Sequence, residues 1–480
     1  MASLDYLIKD VRIVRPKKTQ IKNLDIGIKN GKFAKIAPDI SPDEARHTMD
    51  GGNLLAFPGV VDAHMHFGIY NPLRDDATTE SQACAMGGVT SSLNTLHLAS
   101  VDENQGGSFA KLFPEILDMS DGLYHVDYAY HLAPRGPEQM DEIEMIVQEF
   151  GATSLAIDLN VGLTEHHRCD LAHLEAMMRR TAKVSHEHPS LARHLSLSLY
   201  CEAPDITTAY RKNIERGEDI QSLSSHSDAN PPHAEALAIS MASYLANETQ
   251  CTNINLLRLS STKAMRVALQ MEQLFPHLSF GKEVTIGHLL LDVDAKAGSL
   301  AKVNPPLRER EDVECLWQNL LDGTIDWVTS GHTCCPKEMK LSKDNPQNIF
   351  QVKPGFGGTE YLLPILITEG SKRGMPYHQV AELLSWNPAQ RFGLLGKGDI
   401  DTGYDADLVL VDPQKSYVID GRESKSAQGY SPFDGQELSF AVEKTFLRGQ
   451  LIYDQGSMIG DPQGRYLKRP YLGSSRHWND

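Results

Sequence analysis

Residues 59–68 read GVVDAHMHFG, and this stretch decides which fold the chain is expected to adopt. A short apolar run is followed by two histidines, His64 and His66, that stand one residue apart. Alternate residues of a β-strand project from the same face, so we expect both imidazoles to lie side by side at the end of a strand. Paired imidazoles are half of a typical metal site, and other segments would have to supply the remaining ligands.

Short apolar runs like this one recur through the middle of the chain. Including the first, eight segments have the length and composition of strands: 58–67, 87–96, 125–132, 153–160, 194–202, 252–260, 282–291 and 325–332. Segments with helical apolar spacing lie between them, for example 141–150, 233–248 and 311–323. This regular alternation predicts an α/β fold, a (β/α)₈ TIM barrel.

The two ends of the chain have a different pattern from the middle. Residues 5–57 and 404–456 contain short runs of alternating apolar residues separated by turn residues, which is typical of strands in an antiparallel sheet. We therefore predict one small β-sandwich domain built from both termini. The predicted boundaries are, in order, 1–57 with 397–465 for this domain, 58–396 for the barrel, and 466–480 for a C-terminal arm.

Composition narrows the class of partner and the compartment. The chain has 480 residues, a formal net charge of −17 and 7 cysteines. An acidic protein is a poor match for a nucleic acid or an anionic membrane, so we expect neither as a partner; the charge itself does not indicate the small-molecule substrate. There is no signal pattern at the N-terminus and no apolar run long enough to span a bilayer. Irregularly spaced cysteines in odd number indicate reduced thiols, and hence a cytoplasmic protein.

Polar residues cluster at the predicted C-terminal ends of the barrel strands, where TIM-barrel enzymes place their chemistry. Histidine follows or ends most of these strands, which is more than random placement would give. The residues at these positions are His64, His66, His97, His131, Asp158, Tyr200, Arg258, His288 and His332.

Several segments of the chain, taken in order, resemble one family. PGVVDAHMHF looks like the first barrel strand of the amidohydrolase superfamily. GGVTSSLNT, EVTIGHLLL, DGTIDWVTSGHTCCP, PGFGGTEYLLPIL and WNPAQRFGL are similar to the branch that contains dihydroorotases, hydantoinases and dihydropyrimidinases. The resemblance implies a homo-oligomeric hydrolase, a dimer or tetramer, that opens cyclic amides with two metal ions bridged by a carbamylated lysine.

Carrying the family's metal ligands onto this chain leaves only the first pair in place. His64 and His66 match, whereas the bridging lysine corresponds to Ala156. The two further histidines of the family pattern correspond to Tyr200 and Arg258, and the aspartate that ends the last strand corresponds to Gly331. The anionic ligands that offset the dehydration of a metal are therefore missing. A guanidinium is always charged and has no lone pair to donate, so we expect no binuclear centre.

Two interpretations of the altered site remain open. In one, a single divalent metal, zinc by preference, stays on His64 and His66, completed by Asp158, Glu202, His97 or a cysteine of the SGHTCC turn. In the other there is no metal, and Arg258 supplies the positive charge that polarises the substrate carbonyl. Asp158 could then pair with Arg258 or act as a base.

The resemblance and the strand-end positions together give a set of candidate site residues. The predicted catalytic residues are Asp158, Tyr200, Arg258 and His332. The predicted substrate-binding residues are His97 and His288, with Asn304 and Gly357 from segments that resemble the family's ring-amide contacts. Cys334 or Cys335 could instead be a nucleophile near His332. Dihydroorotate is disfavoured because the run HFGIYNPLR has no arginine before Arg74.

These observations predict an enzyme that hydrolyses a cyclic amide or a related C–N bond with at most one metal ion. The alternatives are a non-catalytic relative of dihydropyrimidinase and an enzyme with non-hydrolytic, metal-independent chemistry. An open pocket of convergent polar groups at the mouth favours an enzyme, and a mouth plugged by side chains favours a non-catalytic protein.

Overall fold

The computed structural model describes residues 3–96, 107–159, 169–217, 219–341 and 347–473. Nine parallel strand segments form the central sheet: β6 (Val60–His66), β7 (Val89–Leu96), β8 (Asp127–Leu132), β9 (Ser154–Asp158), β10 (Ser196–Tyr200), β11 (Asn253–Leu257), β12 (Ser279–Thr285), β13 (Trp327–Thr329) and β14 (His332–Thr333). They follow the order β13-β12-β11-β10-β9-β8-β7-β6-β14. β13 pairs with β12 and β14 pairs with β6, so the last strand is split and both of its halves close the cylinder. The predicted (β/α)₈ barrel is confirmed.

Helices surround this sheet, and the described residues contain sixteen of them: α1 (Leu73–Met86), α2 (Phe109–Ser120), α3 (Pro137–Asp141), α4 (Ile143–Phe150), α5 (Leu171–Glu187), α6 (Pro189–Ala192), α7 (Pro204–Ile214), α8 (Leu223–Ala229), α9 (Pro232–Thr249), α10 (Thr262–Leu274), α11 (Ile286–Leu290), α12 (Arg310–Leu321), α13 (Lys337–Lys340), α14 (Leu362–Lys372), α15 (Tyr377–Ala381) and α16 (Asn387–Arg391). The three helices expected from apolar spacing correspond to α4, α9 and α12. None of the described helices combines the length and the apolar character that a membrane span requires.

One predicted strand is wrong in its second half. The segment 282–291 was expected to be extended throughout, but the strand ends at Thr285 and a short helix, Ile286–Leu290, follows. The Thr285 side chain accepts a hydrogen bond from the backbone N–H of His288 and so caps this helix. A threonine between two apolar runs was thus a helix start, and not part of a continuous strand.

Strands from both ends of the chain form a second sheet of nine strands. From the N-terminal side come β1 (Leu4–Arg15), β2 (Lys18–Lys29), β3 (Lys32–Ala37), β4 (Ala45–Asp50) and β5 (Leu55–Pro58), and from the C-terminal side β15 (Leu408–Asp412), β18 (Ala441–Leu447), β19 (Gln450–Asp454) and β20 (Ser457–Met458). β5 pairs with β15, which joins the two halves. A separate pair consists of β16 (Tyr417–Val418) and β17 (Glu437–Leu438). The predicted β-sandwich contributed by both termini is confirmed, with its own apolar core around Ile26, Ala56 and Leu408.

A buried cluster of charges joins this β-domain to the barrel. The Lys397 ammonium lies 2.9 Å from Asp127 on β8, 2.5 Å from Asp407 and 3.5 Å from Asp405. Arg448, which follows β18, also pairs with Asp127. Each of these five side chains is at most 9% exposed, so the three carboxylates depend on the two cations of the cluster to offset the cost of burying their charge.

The segment that follows the β-domain packs against the N-terminal ends of the barrel strands. The backbone N–H of Leu467 donates to Tyr128 O, and that of Arg469 donates to Gly151 O. The Arg469 guanidinium is buried and donates to Ser154 Oγ at the start of β9 and to Tyr130 O. Leu467 packs in the apolar layer that fills this end of the barrel.

Candidate active site

Four of the predicted site residues meet at the C-terminal end of the barrel. The Nε2 atoms of His64 and His66 lie 3.0 Å apart. The Tyr200 hydroxyl at the end of β10 lies 2.6 Å from His64 Nε2 and 3.2 Å from His66 Nε2. The Arg258 guanidinium, one residue beyond β11, donates from Nη2 to His66 Nε2 at 2.9 Å. The two histidines thus face protein side chains on the side from which a metal would approach.

Glu283 on β12 holds His64 from the opposite side. Its Oε1 lies 2.6 Å from His64 Nδ1, and its Oε2 accepts a hydrogen bond from Trp327 Nε1 at 3.1 Å. Glu283 is fully buried, so this carboxylate depends on these donors for its stability. Burial lowers the pKa of His64, so its imidazole is neutral at neutral pH.

Arg258 is a buried cation whose partners are uncharged. It is 6% exposed, and its Nη1 and Nη2 donate to Asn304 O and Gly331 O at 2.8 and 3.1 Å. No described carboxylate accepts a hydrogen bond from this guanidinium, and its Nε has no described partner. A pair between Asp158 and Arg258, one of the two roles left open for Asp158, stays a prediction. Arg258 also has a φ of 53°, which is unusual for a residue with a side chain.

The donor set at this position does not fit a divalent metal. The lone pair of His66 Nε2 accepts an N–H of Arg258, and that of His64 Nε2 faces the O–H of Tyr200. Burial raises the pKa of the Tyr200 phenol, so at neutral pH it is a donor and not an anionic ligand. Ala156, which the resemblance places at the position of the family's lysine, has no side-chain ligand. Two imidazoles that already accept hydrogen bonds, beside a fixed cation, are fewer than the three or four ligands that a zinc site uses.

Comparison with known proteins identifies the family. The chain is 30% identical over 477 residues to an allantoinase of Rubrobacter xylanophilus, with 98% of both chains covered, and 30% identical over 481 residues to one of Deinococcus radiodurans, covering 97% and 99%. A model of the amidohydrolase family matches residues 307–452. The chain belongs to the cyclic-amidohydrolase branch of the amidohydrolase superfamily. The prediction of a hydrolase for cyclic amides is confirmed at the level of this family.

Solved structures of amidohydrolases show the same architecture. A dihydropyrimidinase from Brevibacillus agri superimposes with a TM-score of 0.87 at 22% identity, covering 98% of this chain and 99% of that one. A D-hydantoinase superimposes with a TM-score of 0.86 at 24% identity, covering 98% and 100%. At these identities the likeness establishes the fold of this amidohydrolase, including the β-sandwich beside its barrel.

His332 points away from the histidine pair of this amidohydrolase. Its Nε2 lies 2.7 Å from Glu80 Oε2 on α1, and the backbone N–H groups of Gly358 and Thr359 donate to its Nδ1 at 3.1 and 3.3 Å. The Glu80 carboxylate raises the pKa of His332. The two N–H groups nevertheless leave no place for a proton on Nδ1, so we assign a neutral ring that donates to Glu80. The structure therefore does not bring His332 together with Tyr200 and Arg258.

The remaining predicted substrate-binding residues either form hydrogen bonds within the protein or lie outside the residues that the structure describes. His288 is buried, with Nδ1 2.7 Å from Thr285 Oγ1 and Nε2 3.0 Å from Pro305 O. Asn304 presents its carbonyl to Arg258, and Gly357 donates its N–H to Gln428. Their roles in substrate binding stay predictions. His97 lies outside the described residues. Asp158 ends β9 directly beside Tyr200 in the strand register, so a role as base also stays a prediction.

A second group of ligand-type side chains lies between α1 and β14. Asp76, Glu80 and Cys334 are buried, with atoms close enough to share an ion. The two carboxylates already accept hydrogen bonds, however, because Gly68 N and Asn71 Nδ2 donate to Asp76 and Ala427 N donates to Glu80. Burial raises the pKa of Cys334, and likewise of Cys335, so both are protonated thiols at neutral pH. This argues against the alternative of a cysteine nucleophile.

Sequence reasoning missed Glu283, although it contacts the site directly. A carboxylate within the otherwise apolar run EVTIGHLLL was the available signal, because a charged residue inside a buried strand requires a partner. The family's ligand pattern has no counterpart at this position, so the resemblance gave no indication of Glu283.

Proposed function

We propose that this protein hydrolyses the amide bond of a small cyclic amide without a metal ion on His64 and His66. One observation carries the proposal: Tyr200 and Arg258 converge on the lone pairs of the two histidines, at the end of the barrel where the family performs its chemistry. The allantoinase relatives support a ring amide as the substrate. The mouth is polar at these four positions, which favours chemistry over a non-catalytic role.

In the proposed reaction, Arg258 replaces the metal ion as the group that polarises the substrate carbonyl. A fixed guanidinium beside the substrate carbonyl stabilises the negative charge that develops when water adds to the carbon. Because the cation is buried and its partners are uncharged, its field is little screened. Cleavage of the C–N bond then yields a carboxyl group and an N–H group, with one water consumed.

A single zinc ion on the histidine pair is the competing interpretation. Zinc would have to displace both the Arg258 N–H and the Tyr200 O–H, and it would stand next to the positive charge of Arg258. These costs support the metal-free form over the zinc form.

Ring opening by metal-stripped protein tests the proposal. The purified protein should be assayed with hydantoin, allantoin, dihydrouracil and dihydroorotate, before and after chelation, with elemental analysis in parallel. We expect at least one ring to be opened at an unchanged rate after chelation. Loss of turnover on chelation, with one metal per chain before it, would establish the zinc form. No turnover of any cyclic amide would favour the non-catalytic alternative.

Arg258→Met separates the role of the guanidinium from a general effect of lost charge. We expect a decrease in kcat of about 100-fold or more, the scale of removing a transition-state charge stabiliser. Arg74→Met is the matched control, because Arg74 is exposed at the start of α1. Equal activities of the two variants would exclude the proposed role of Arg258.

We also propose that the protein is a cytoplasmic homo-oligomer of two or four chains. The family resemblance supports the assembly, and the seven free cysteines support a reducing compartment. Light scattering after size-exclusion chromatography gives the assembly directly, and a monomer would contradict it.

A further inference from the structure

Three side chains form a continuous hydrogen-bonded chain from the barrel interior to its mouth. Glu283 Oε1 and His64 Nδ1 are 2.6 Å apart, and His64 Nε2 and the Tyr200 hydroxyl are again 2.6 Å apart. Exposure rises along the chain: Glu283 and His64 are buried, whereas Tyr200 is partly exposed. Only the tyrosine can therefore touch a substrate.

The donors around Glu283 decide which atoms of this hydrogen-bonded row of side chains carry a hydrogen. The carboxylate receives N–H groups from Trp327 Nε1 and, more distantly, from the Arg258 backbone, so it is an acceptor throughout. His64 Nδ1 must then carry the hydrogen that points at Glu283. A neutral ring with its proton on Nδ1 leaves the Nε2 lone pair free to accept from Tyr200.

The neighbouring histidine does not compete for the tyrosine hydrogen. His66 Nε2 is 3.2 Å from the hydroxyl, but its lone pair already accepts the Arg258 N–H. His64 is also nearer to the hydroxyl by more than half an ångström. The Tyr200 O–H therefore points at His64, and the lone pairs of its oxygen face away from that ring.

We propose that Tyr200, His64 and Glu283 are a proton relay that takes the place of a metal-activated hydroxide, in the ring opening proposed above. As water adds to the ring carbonyl, its proton passes to Tyr200 Oη while the phenol hydrogen passes to His64 Nε2. The imidazolium formed is stabilised by the Glu283 carboxylate. As the C–N bond breaks, the same path returns the proton to the ring nitrogen, so the relay ends as it began.

The roles differ along the relay. Tyr200 is the catalytic residue, because it meets the reacting water and the leaving nitrogen. His64 and Glu283 act through Tyr200. His64 accepts and returns the proton, and Glu283 fixes the tautomer of His64. This is the logic of a nucleophile, base and orienting carboxylate, here with a phenol at the substrate end. Arg258 lies with its Cζ 5.7 Å from the Tyr200 ring centroid and stabilises negative charge on that oxygen.

Tyr200→Phe is the first test, with Tyr70→Phe as its control. Both changes remove one hydroxyl near the mouth, but the Tyr70 hydroxyl donates to Pro354 O and is outside the relay. We expect kcat to decrease by about 100-fold or more for Tyr200→Phe, the usual contribution of general acid–base catalysis, and to stay within about threefold for Tyr70→Phe. Retained turnover in Tyr200→Phe, with the ring still opened by the wild type, overturns the relay and leaves the proposed hydrolysis standing.

The tautomer of His64 is a second readout that needs no turnover. In ¹⁵N-histidine NMR spectra, with His64 assigned by a His64→Gln variant, we expect the proton on Nδ1 in the wild type. Glu283→Gln offers an amide in place of the carboxylate, and we expect it to change this tautomer and decrease kcat. A proton on Nε2 in the wild type overturns the relay, whether or not a ring is opened. Absence of any ring opening refutes the proposed hydrolysis, and the spectrum still decides the hydrogen-bond order.

Discussion

Arg258 follows β11 and Gly331 follows β13, on either side of β12, and their side chain and backbone are in contact. A Cβ at residue 331 would stand 3.3 Å from Arg258 Nη2 and 3.1 Å from Thr285 Cγ2, and the φ of Gly331 is 61°. A side chain there would be strained and would press on the guanidinium. The glycine at position 331 therefore leaves room for the Arg258 guanidinium.

Asp76 carries the clearest pH-dependent effect on stability. Burial, together with the charge of nearby Glu80, raises its pKa from 3.8 to about 7. A carboxyl group with a raised folded-state pKa resists ionisation, so it decreases the free energy of unfolding as the pH rises from 4 to 7. Asp76→Asn should remove this effect. The free energy of unfolding of the variant should exceed that of the wild type by an amount that grows from pH 4 to pH 7 and levels off at about 2–4 kcal/mol.

Urea unfolding at pH 4, 5.5, 7 and 8 measures the difference in free energy of unfolding between Asp76→Asn and the wild type. Asp75→Asn is the control, because Asp75 is exposed in the same turn of α1. A gain that is independent of pH, or equal in both variants, would show that Asp76 ionises freely in the folded protein.

At the scale of elements, the packing of β12 against β13 supports the active site. Gly281 on β12 leaves space for the Trp327 ring of β13, and that ring donates its Nε1 hydrogen to Glu283. A Cβ at position 281 would overlap the Trp327 ring and stand 2.6 Å from Asn255 Oδ1. The interior of the barrel thus positions Glu283 through a glycine.

Gly281→Ala should decrease the free energy of unfolding by about 1–3 kcal/mol, the usual cost of overpacking a core. It should also weaken the Trp327–Glu283 hydrogen bond and decrease kcat. Gly136→Ala is the control, because an added Cβ there meets no atom within 4 Å. Urea unfolding followed by tryptophan fluorescence and a turnover assay check both effects. Unchanged stability would mean that β12 and β13 adjust at no cost.

Which elements could be predicted from sequence depends on where their information lies. Strand segments such as 58–67 were predictable because apolar runs bounded by turn residues are local signals. The helix at Ile286–Leu290 was not, because its cap by Thr285 interrupts an apolar run that could equally be a strand. The division of the last strand between Thr329 and His332 was also not predictable, because no local signal marks it and the contact of Gly331 with Arg258 joins residues far apart in the sequence.

The sequence predicts which residues form the candidate site better than it predicts how their side chains are arranged. Tyr200, Arg258, His64 and His66 were identified from their positions at strand ends, and the structure brings them together. His332 was expected at the end of the last strand, but it begins β14, after the break at Gly331, and its side chain lies against Glu80 on α1. Distances between side chains on different strands, such as that joining His64 to Glu283, are not encoded in any single segment.

At the scale of the whole molecule, the buried charge cluster around Lys397 holds the two domains together. Lys397→Met would leave Asp127, Asp405 and Asp407 buried with Arg448 as the only nearby described cation of the cluster. We expect a loss of about 3–5 kcal/mol, the usual cost of breaking a buried ion pair from one side.

Thermal unfolding by calorimetry checks this expectation. Lys183→Met is the control, because Lys183 pairs with Glu187 on the surface of α5 and such pairs contribute about 0–1 kcal/mol. A similar Tm for both variants would show that the domains are held by apolar contacts alone.

The contact of residues 464–471 with the N-terminal ends of β8 and β9 has a consequence for biosynthesis. A ribosome makes these residues after every barrel strand has emerged, so the nascent barrel has an open lower rim during translation. Tyr128, Ser154 and the apolar layer around Leu467 stay unsealed in that interval. Transcripts that stop short of codon 464 should therefore give polypeptides that chaperones retain, even though all eight strand positions have been translated.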